Sequence, residues 1–301
     1  AIAYTNGNLA VGTRPITVSG DNQSRVYGDA NPALTYTVGL DTGPTSRGLA
    51  NGDVLSGTLA TLAGPASNVA GYAITQGGVT NAANTNYAIA YTNGNLAVGT
   101  RPITVTADAG QQKTYGNADP VFTFTTTSLG SGIPVAGALS RVAGETVLGG
   151  PYAITQGTVD NTTNTNYVIT YAGANFAIGT RPITVAPSSV TLNAGATIPT
   201  TDTVSVVSGS VGAGDQFAAS LPVSTTATST SPAGTYSLTP GGVQFLQGSG
   251  SNYNITYQDG TLTLITAQLP PFVAAITSAV STATTAFKYA SWAGPPTGAV
   301  S

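Results

Sequence analysis

The chain has 301 residues with only 8 Lys plus Arg against 11 Asp plus Glu and a net charge of −3. That excludes a basic nucleic-acid surface, because neutralising phosphates needs clustered cations. It contains no Cys, His or Met, which excludes disulfides, Cys- or His-ligated metals and any nucleophile activated by a His base.

Residues 1–18, AIAYTNGNLAVGTRPITV, return letter for letter at 88–105, and a looser copy, VITYAGANFAIGTRPITV, fills 168–185. Other landmarks keep step. VYGDANPALTYTV at 26–38 matches TYGNADPVFTFTT at 114–126, and GYAITQGGV at 71–79 matches PYAITQGTV at 151–159. TYSLTPGGV at 235–243 is a fainter copy of the last pair, and TNYAIAY, TNYVITY and SNYNITY end at Tyr91, Tyr171 and Tyr257. With these included, only Tyr289 of the 14 tyrosines lies away from a landmark, so tyrosine is read as architectural, packing in the core. Periods of this length mark tandem domains. The expected division is residues 1–12 as the closing hairpin of a preceding repeat, then repeats at 13–99, 100–179 and 180–266, the last divergent, and a distinct segment at 267–301. The missing initiator Met and the absence of a charged, then apolar, leader suggest a processed chain or a piece of a longer one.

Within a repeat the hydrophobic period is two. Tyr87, Ile89 and Tyr91 alternate with Ala88 and Ala90, and Leu96 and Val98 alternate again after Asn93-Gly94. An Asn-Gly pair between alternating runs predicts a two-residue hairpin with a type I′ turn. Asp259-Gly260 repeats that chemistry, and Ala172-Gly173 weakens it. Each RPITV predicts a strand, with Pro15, Pro102 and Pro182 at its start, where a missing N–H is tolerated. The predicted class is all-β: a tandem array of small β-rich domains, either β-grasp-like or immunoglobulin-like sandwiches. Only Gly-Thr-Arg joins one repeat to the next, so a stiff string of domains and an elongated particle are expected.

The last segment changes character. Val273, Ile276, Val280, Ala283, Phe287 and Ala290 form a stripe at helical spacing, which predicts a short amphipathic helix. Its threonines and Lys288 argue against a membrane span.

Arg14, Arg101 and Arg181 recur at the joints beside Pro15, Pro102 and Pro182. These six are the candidate interdomain seam, each Arg pairing with an Asp or a backbone carbonyl. Candidate assembly contacts are Ile2, Tyr4, Leu9 and Val11 at one end and Phe272, Ile276, Val280, Phe287 and Trp292 at the other, through which unpaired strand edges would join copies. No catalytic or cofactor-binding residue is assigned. Glu145 is the sole Glu, and the Asp residues lie at turns where Asx-type bonding accounts for them. Asp29 and its neighbours offer oxygens that suit Ca²⁺, but Asn117 replaces Asp29 in the second copy, so no metal site is assigned. Asn22, Asn161 and Asn254 sit in glycosylation-type sequons, a weak signal in an Asn/Thr-rich chain.

The segments YGDANP, YGNADP, GYAITQG, NYAIAYTNGNLAV and RPITV resemble the MBG-type repeats, in their YG variety, of very large secreted bacterial surface proteins. The match covers residues 1–185 well, while the third repeat lacks Tyr-Gly-x-Ala-x-Pro. The resemblance implies an extracellular stalk or adhesin rather than an enzyme. It would belong with filamentous-haemagglutinin-like exoproteins of two-partner secretion and act in cell adhesion or biofilm matrix. Its partner would be a glycan or protein on a host or neighbouring cell surface. The alternative from the residues is a self-assembling fibre, sheath or surface-layer subunit joined by strand complementation.

Overall fold

The computed structural model describes residues 1–40, 48–50, 52–212 and 214–266. The predicted C-terminal helix and its candidate contacts Phe272, Ile276, Val280, Phe287 and Trp292 lie outside the described residues. Among those described the chain is all-β, with one 3-10 turn at Gly250–Asn252.

Repeat 1 carries β1 (Arg14–Gly20), β2 (Gln23–Val26), β3 (Tyr36–Val38), β4 (Ala60–Thr61), β5 (Ala70–Thr75), β6 (Tyr87–Thr92) and β7 (Gly94–Gly99). They form two sheets, ordered β3-β1-β6 and β2-β7-β5-β4. Ile16 and Val18 of the first sheet pack on Ile74 and Leu96 of the second in one buried cluster. The period-two pattern accounts for this: β1 and β7 alternate buried and exposed residues along their length. Two facing sheets make a sandwich. A β-grasp needs a helix laid across its sheet, which no described residue supplies.

Repeat 2 follows the same path with β8 (Arg101–Ala107), β9 (Gln112–Thr114), β10 (Phe124–Thr126), β11 (Ser140–Arg141), β12 (Tyr152–Thr155), β13 (Tyr167–Ala172) and β14 (Asn175–Gly179). Its sheets are β10-β8-β13 and β11-β12-β14-β9, strand for strand the order of repeat 1.

The predicted hairpins at Asn93-Gly94, Ala172-Gly173 and Asp259-Gly260 do not form. β6 pairs in parallel with β1, whereas β7 pairs with β2 and β5 in the other sheet. The chain therefore crosses from one sheet to the other at Asn93, beside the crossing between β1 and β2. None of Gly94, Gly173 and Gly260 has the positive φ of a type I′ turn. Gly94 is required for closeness instead. A Cβ there would lie 2.5 Å from the Gly20 carbonyl oxygen, a backbone atom that cannot swing away. Gly94→Ala is expected to cost about 1–3 kcal/mol, as overpacking does, read as a lowered thermal midpoint. An unchanged midpoint would mean that the crossing strands can separate freely.

Residues 1–13 form no strand, and Ile2, Tyr4, Leu9 and Val11 are each at least 85% exposed. The hairpin expected at 1–12 is thus not present. Its identical copy at 88–99 is ordered by β1, β2 and β5 of its own repeat, and residues 1–12 have no such partners among the described residues.

By compactness the chain falls into two units, Ala1–Lys113 with Ala118–Ile178, and Thr114–Asn117 with Gly179 onward. The first unit holds nearly all of repeats 1 and 2. The second holds repeat 3: β15 (Arg181–Pro187), β16 (Val190–Asn193), β17 (Thr201–Ser208), β18 (Gln216–Phe217), β19 (Ser220–Ser224), β20 (Gly234–Pro240), β21 (Phe245–Gln247), β22 (Tyr253–Tyr257) and β23 (Gly260–Ile265). Its main sheet runs β16-β23-β20-β19-β17-β15-β22. This is the order of repeat 1 with its two sheets joined, because β17 and β19 are long enough to pair where β3 and β4 do not. The divergent early half of repeat 3 therefore keeps the path of the fold without the Tyr-Gly motif.

Candidate functional site: the Tyr-Gly corner and its seat

In unit 1 the Tyr-Gly motif of repeat 1 is a corner, residues 27–29, that leaves β2 and plugs repeat 2. Tyr27 is fully buried, its ring edge-on to Tyr167 at 5.3 Å between centroids. Its hydroxyl accepts from the Ile133 N–H at 3.2 Å. The corner's backbone is equally occupied: Tyr27 N–H donates to the Gly99 carbonyl at 2.8 Å, and Ser131 N–H donates to the Gly28 carbonyl at 2.8 Å. Gly28 is needed on two counts. Its φ is +84°, and a Cβ would sit 2.4 Å from the Leu129 carbonyl oxygen.

Arg101 closes the corner from the side of repeat 2. Its Nε donates to the Tyr27 carbonyl at 2.6 Å, and its Nη2 pairs with the Asp29 carboxylate. Asn166 adds a second clasp, accepting from Val69 N–H at 3.0 Å and donating to the Asn68 side chain at 2.9 Å. Asp29, considered above as a calcium ligand, thus faces a guanidinium. Among the described residues no three acidic side chains gather into a cation site.

Unit 2 contains the same device. Tyr115 meets Tyr253 edge-on at 5.5 Å, and Arg181 Nη1 donates to the Tyr115 carbonyl and to Asn117 Oδ1, each at 3.0 Å. Here a carboxylate joins in: Asp215 Oδ2 accepts from the hydroxyls of both Tyr253 (2.5 Å) and Tyr115 (2.9 Å). Burial first, then the Asp215 hydrogen bond, pushes the Tyr253 hydroxyl up to about 12, so it remains a donor at any physiological pH. Arg14 differs from the other two joint arginines. It is half-buried and donates from Nη1 to the Gly48 carbonyl at 3.0 Å. Pro15, Pro102 and Pro182 stand exposed at the second position of β1, β8 and β15 and make no part of the clasp.

A second cluster lies on repeat 2, beside a cleft of about 580 Å³. Lys113 and Arg141, nearly buried, alternate with Asp119 and Glu145 in a square of ion pairs. Arg141 also lies over the rings of Tyr152 and Phe176 at 5.3 and 5.2 Å. The carboxyl of Asp119 is held below its ordinary range chiefly by Arg141, and that of Glu145 chiefly by Lys113. Glycoside hydrolysis needs one carboxyl raised so that it can donate a proton. This pair is shifted the opposite way. In repeat 1 the same place holds Arg25 and Asn31, joined at 2.7 Å, with no carboxylate among the described residues.

The structure thus brings together Arg101 with its corner and Arg181 with its corner. The reading from residues alone passed over Tyr27, Tyr115, Asn68, Asn166 and the ion square. The repeated Tyr-Gly-x-Ala-x-Pro string was the available signal for the tyrosines.

The family model described as MBG domain (YGX type) matches residues 16–97, 103–177 and 183–263, well over half the chain. Among solved structures the chain is similar to the crystal structure of the I9-I11 tandem from titin, at 11% identity and a TM-score of 0.22, covering 84% of this chain and 100% of that one. No curated protein matches it at a significant level.

Proposed function

Because this chain belongs to the MBG domain family of the YGX type, with three copies in tandem, we propose that it is a non-enzymatic extracellular repeat protein serving as a stalk or adhesin segment. MBG repeats are typical of extracellular repeat proteins, and within that class this chain fits the filamentous-haemagglutinin-like adhesins. The observation that carries the reading is the corner-and-seat joint. Tyr27 buried against Tyr167 and Arg101 clamped on the corner fix repeat 2 directly on repeat 1, with Thr100 alone between β7 and β8. A joint of that kind passes load from domain to domain instead of letting a linker stretch.

Adhesion then comes from number rather than from one deep pocket. Weak contacts repeated along an array sum through effective concentration. The partner is a glycan or protein on a host or neighbouring cell, met by a surface of Thr, Ser and Asn side chains. Beads densely coated with the chain are expected to bind cells or biofilm, with binding falling steeply as coating density is lowered. Beads that fail to bind at every density would refute the adhesive role. Electron microscopy of the same preparation examines the second reading, a self-assembling fibre, which the exposed apolar side chains of residues 1–12 favour. Fibres lost on deleting those residues would establish it in place of the first.

A further inference from the structure

The two seats that hold a corner share an arginine and a tyrosine, and repeat 1 owns these together with the carboxylate of unit 2, with no corner on them among the described residues. In unit 2 the seat is Arg181, Tyr253, Asp215 and the Gly212 N–H, and the buried Asn252 precedes Tyr253 in the chain. In repeat 1 the matching residues are Arg14, Tyr87, Asp53, the Ala50 N–H and Asn86. Tyr87 donates to Asp53 Oδ2 at 2.6 Å and accepts from Ala50 N–H at 3.0 Å, as Tyr253 does with Asp215 and Gly212. Arg14 bonds the Gly48 carbonyl just as Arg181 bonds that of Ser210.

The difference lies in what covers them. Asp53 and Asn86 are exposed, whereas Asp215 is half-buried and Asn252 buried. Among the described residues Arg14 has no counterpart to the bonds that Arg101 and Arg181 send to a corner, and the Asn86 side chain has none of the bonds that Asn166 makes. A cleft of about 480 Å³ opens between Arg14, Asp53, Asn86 and Tyr87. That is room for a tyrosine side chain and its turn.

We infer that this face of repeat 1 is a seat for the Tyr-Gly corner of another MBG repeat, one joined ahead of Ala1 in the same polypeptide. Three observations select that occupant. Residues 1–12 are identical to 88–99, the segment that closes repeat 1. In that closing segment the Gly99 carbonyl holds the Tyr27 N–H, so a corner held likewise by Gly12 would emerge two residues from Arg14. The chain's own corners do not serve: Tyr27 and Tyr115 are engaged, and repeat 3 has Ala194-Gly195 at this place. Ala194 N–H donates to the Ile265 carbonyl at 2.8 Å and Gly195 has φ +91°, so the turn is kept without its ring. Asp53 further specifies a hydroxyl, since in unit 2 the matching carboxylate accepts from the incoming tyrosine.

The test extends the chain and uses its lack of cysteine. A second copy of residues 13–87 is placed ahead of Ala1, so that residues 1–12 complete it. Asn86→Cys is paired with a cysteine at the added copy's counterpart of Asn68, and Asn68→Cys with Asn166→Cys serves as the control at the existing joint. The added pair is expected to oxidise to a disulfide as fully as the control. Changing the added corner's tyrosine to alanine, a residue that a corner tolerates as Ala194 shows, is expected to slow its oxidation about tenfold, the equivalent of roughly 1.4 kcal/mol. A pair that stays reduced while the control oxidises, or an alanine corner that oxidises at the same rate, would overturn the inference. Neither result depends on whether the protein adheres to anything.

Discussion

Tyr27→Ala is expected to destabilise unit 1 by about 3–5 kcal/mol, the cost of truncating a buried aromatic, and to split its unfolding into two transitions. Tyr27 has no exposed surface, its ring contacts Tyr167, and its hydroxyl accepts from Ile133. Removing it leaves a cavity between repeats 1 and 2 rather than inside either one. Each repeat keeps its own sheets, so the loss falls on coupling more than on local structure. Ala194 shows that the turn survives without the ring, because the backbone bond to the closing strand remains. Tyr27→Phe separates the parts: it keeps the ring contact and loses one neutral hydrogen bond, about 0.5–1.5 kcal/mol. Calorimetry reads both. A single transition with an unchanged midpoint in the alanine variant would show that the corner rests on repeat 2 without holding it.

What was legible in the residues, and what was not, follows from the kind of information that duplication carries. Copying preserves position, so Arg101 and Arg181 could be placed at a joint and RPITV read as a strand. Alternation reports which face of a strand is buried and says nothing about which sheet it joins. The run 87–98 therefore looked like one hairpin although β6 and β7 lie in different sheets. Glycine compounds the ambiguity, for Gly94 could serve a left-handed turn or a close backbone approach, and only the neighbouring Gly20 carbonyl decides. The joining of two sheets in repeat 3 rests on the extra length of β17 and β19, where no landmark residue marks it. The ion square left a fainter trace. Comparing SRVYGDANP with QKTYGNADP shows Arg25 and Asn31 becoming Lys113 and Asp119 together, yet Arg141 and Glu145 arrive from a stretch with no shared motif.

That square supports the second large effect. Arg141→Ala is expected to cost about 2–4 kcal/mol, below the usual cost of breaking a fully buried pair because Asp119 is 33% and Glu145 63% exposed. Arg141 bonds both Asp119 oxygens, at 2.6 and 3.0 Å, and caps the Val142 and Gly144 carbonyls at 3.1 and 2.5 Å. Its loss leaves two carboxylates sharing Lys113 and uncovers the rings of Tyr152 and Phe176. Arg141→Lys should fall between, keeping charge while losing the fork and the stacking. The pH dependence has a fixed sign. Both carboxyls have folded-state pKa values below their unfolded ones, so their stabilisation is complete above about pH 4–4.5 and is lost as pH falls through the depressed values. The thermal midpoint of the native protein should therefore drop on acidification more steeply than that of Arg141→Ala, whose carboxyls have lost their main or secondary partner. Midpoints measured from pH 7 to pH 2 check this, and parallel curves would mean that the four charges stabilise repeat 2 no more than solvent does.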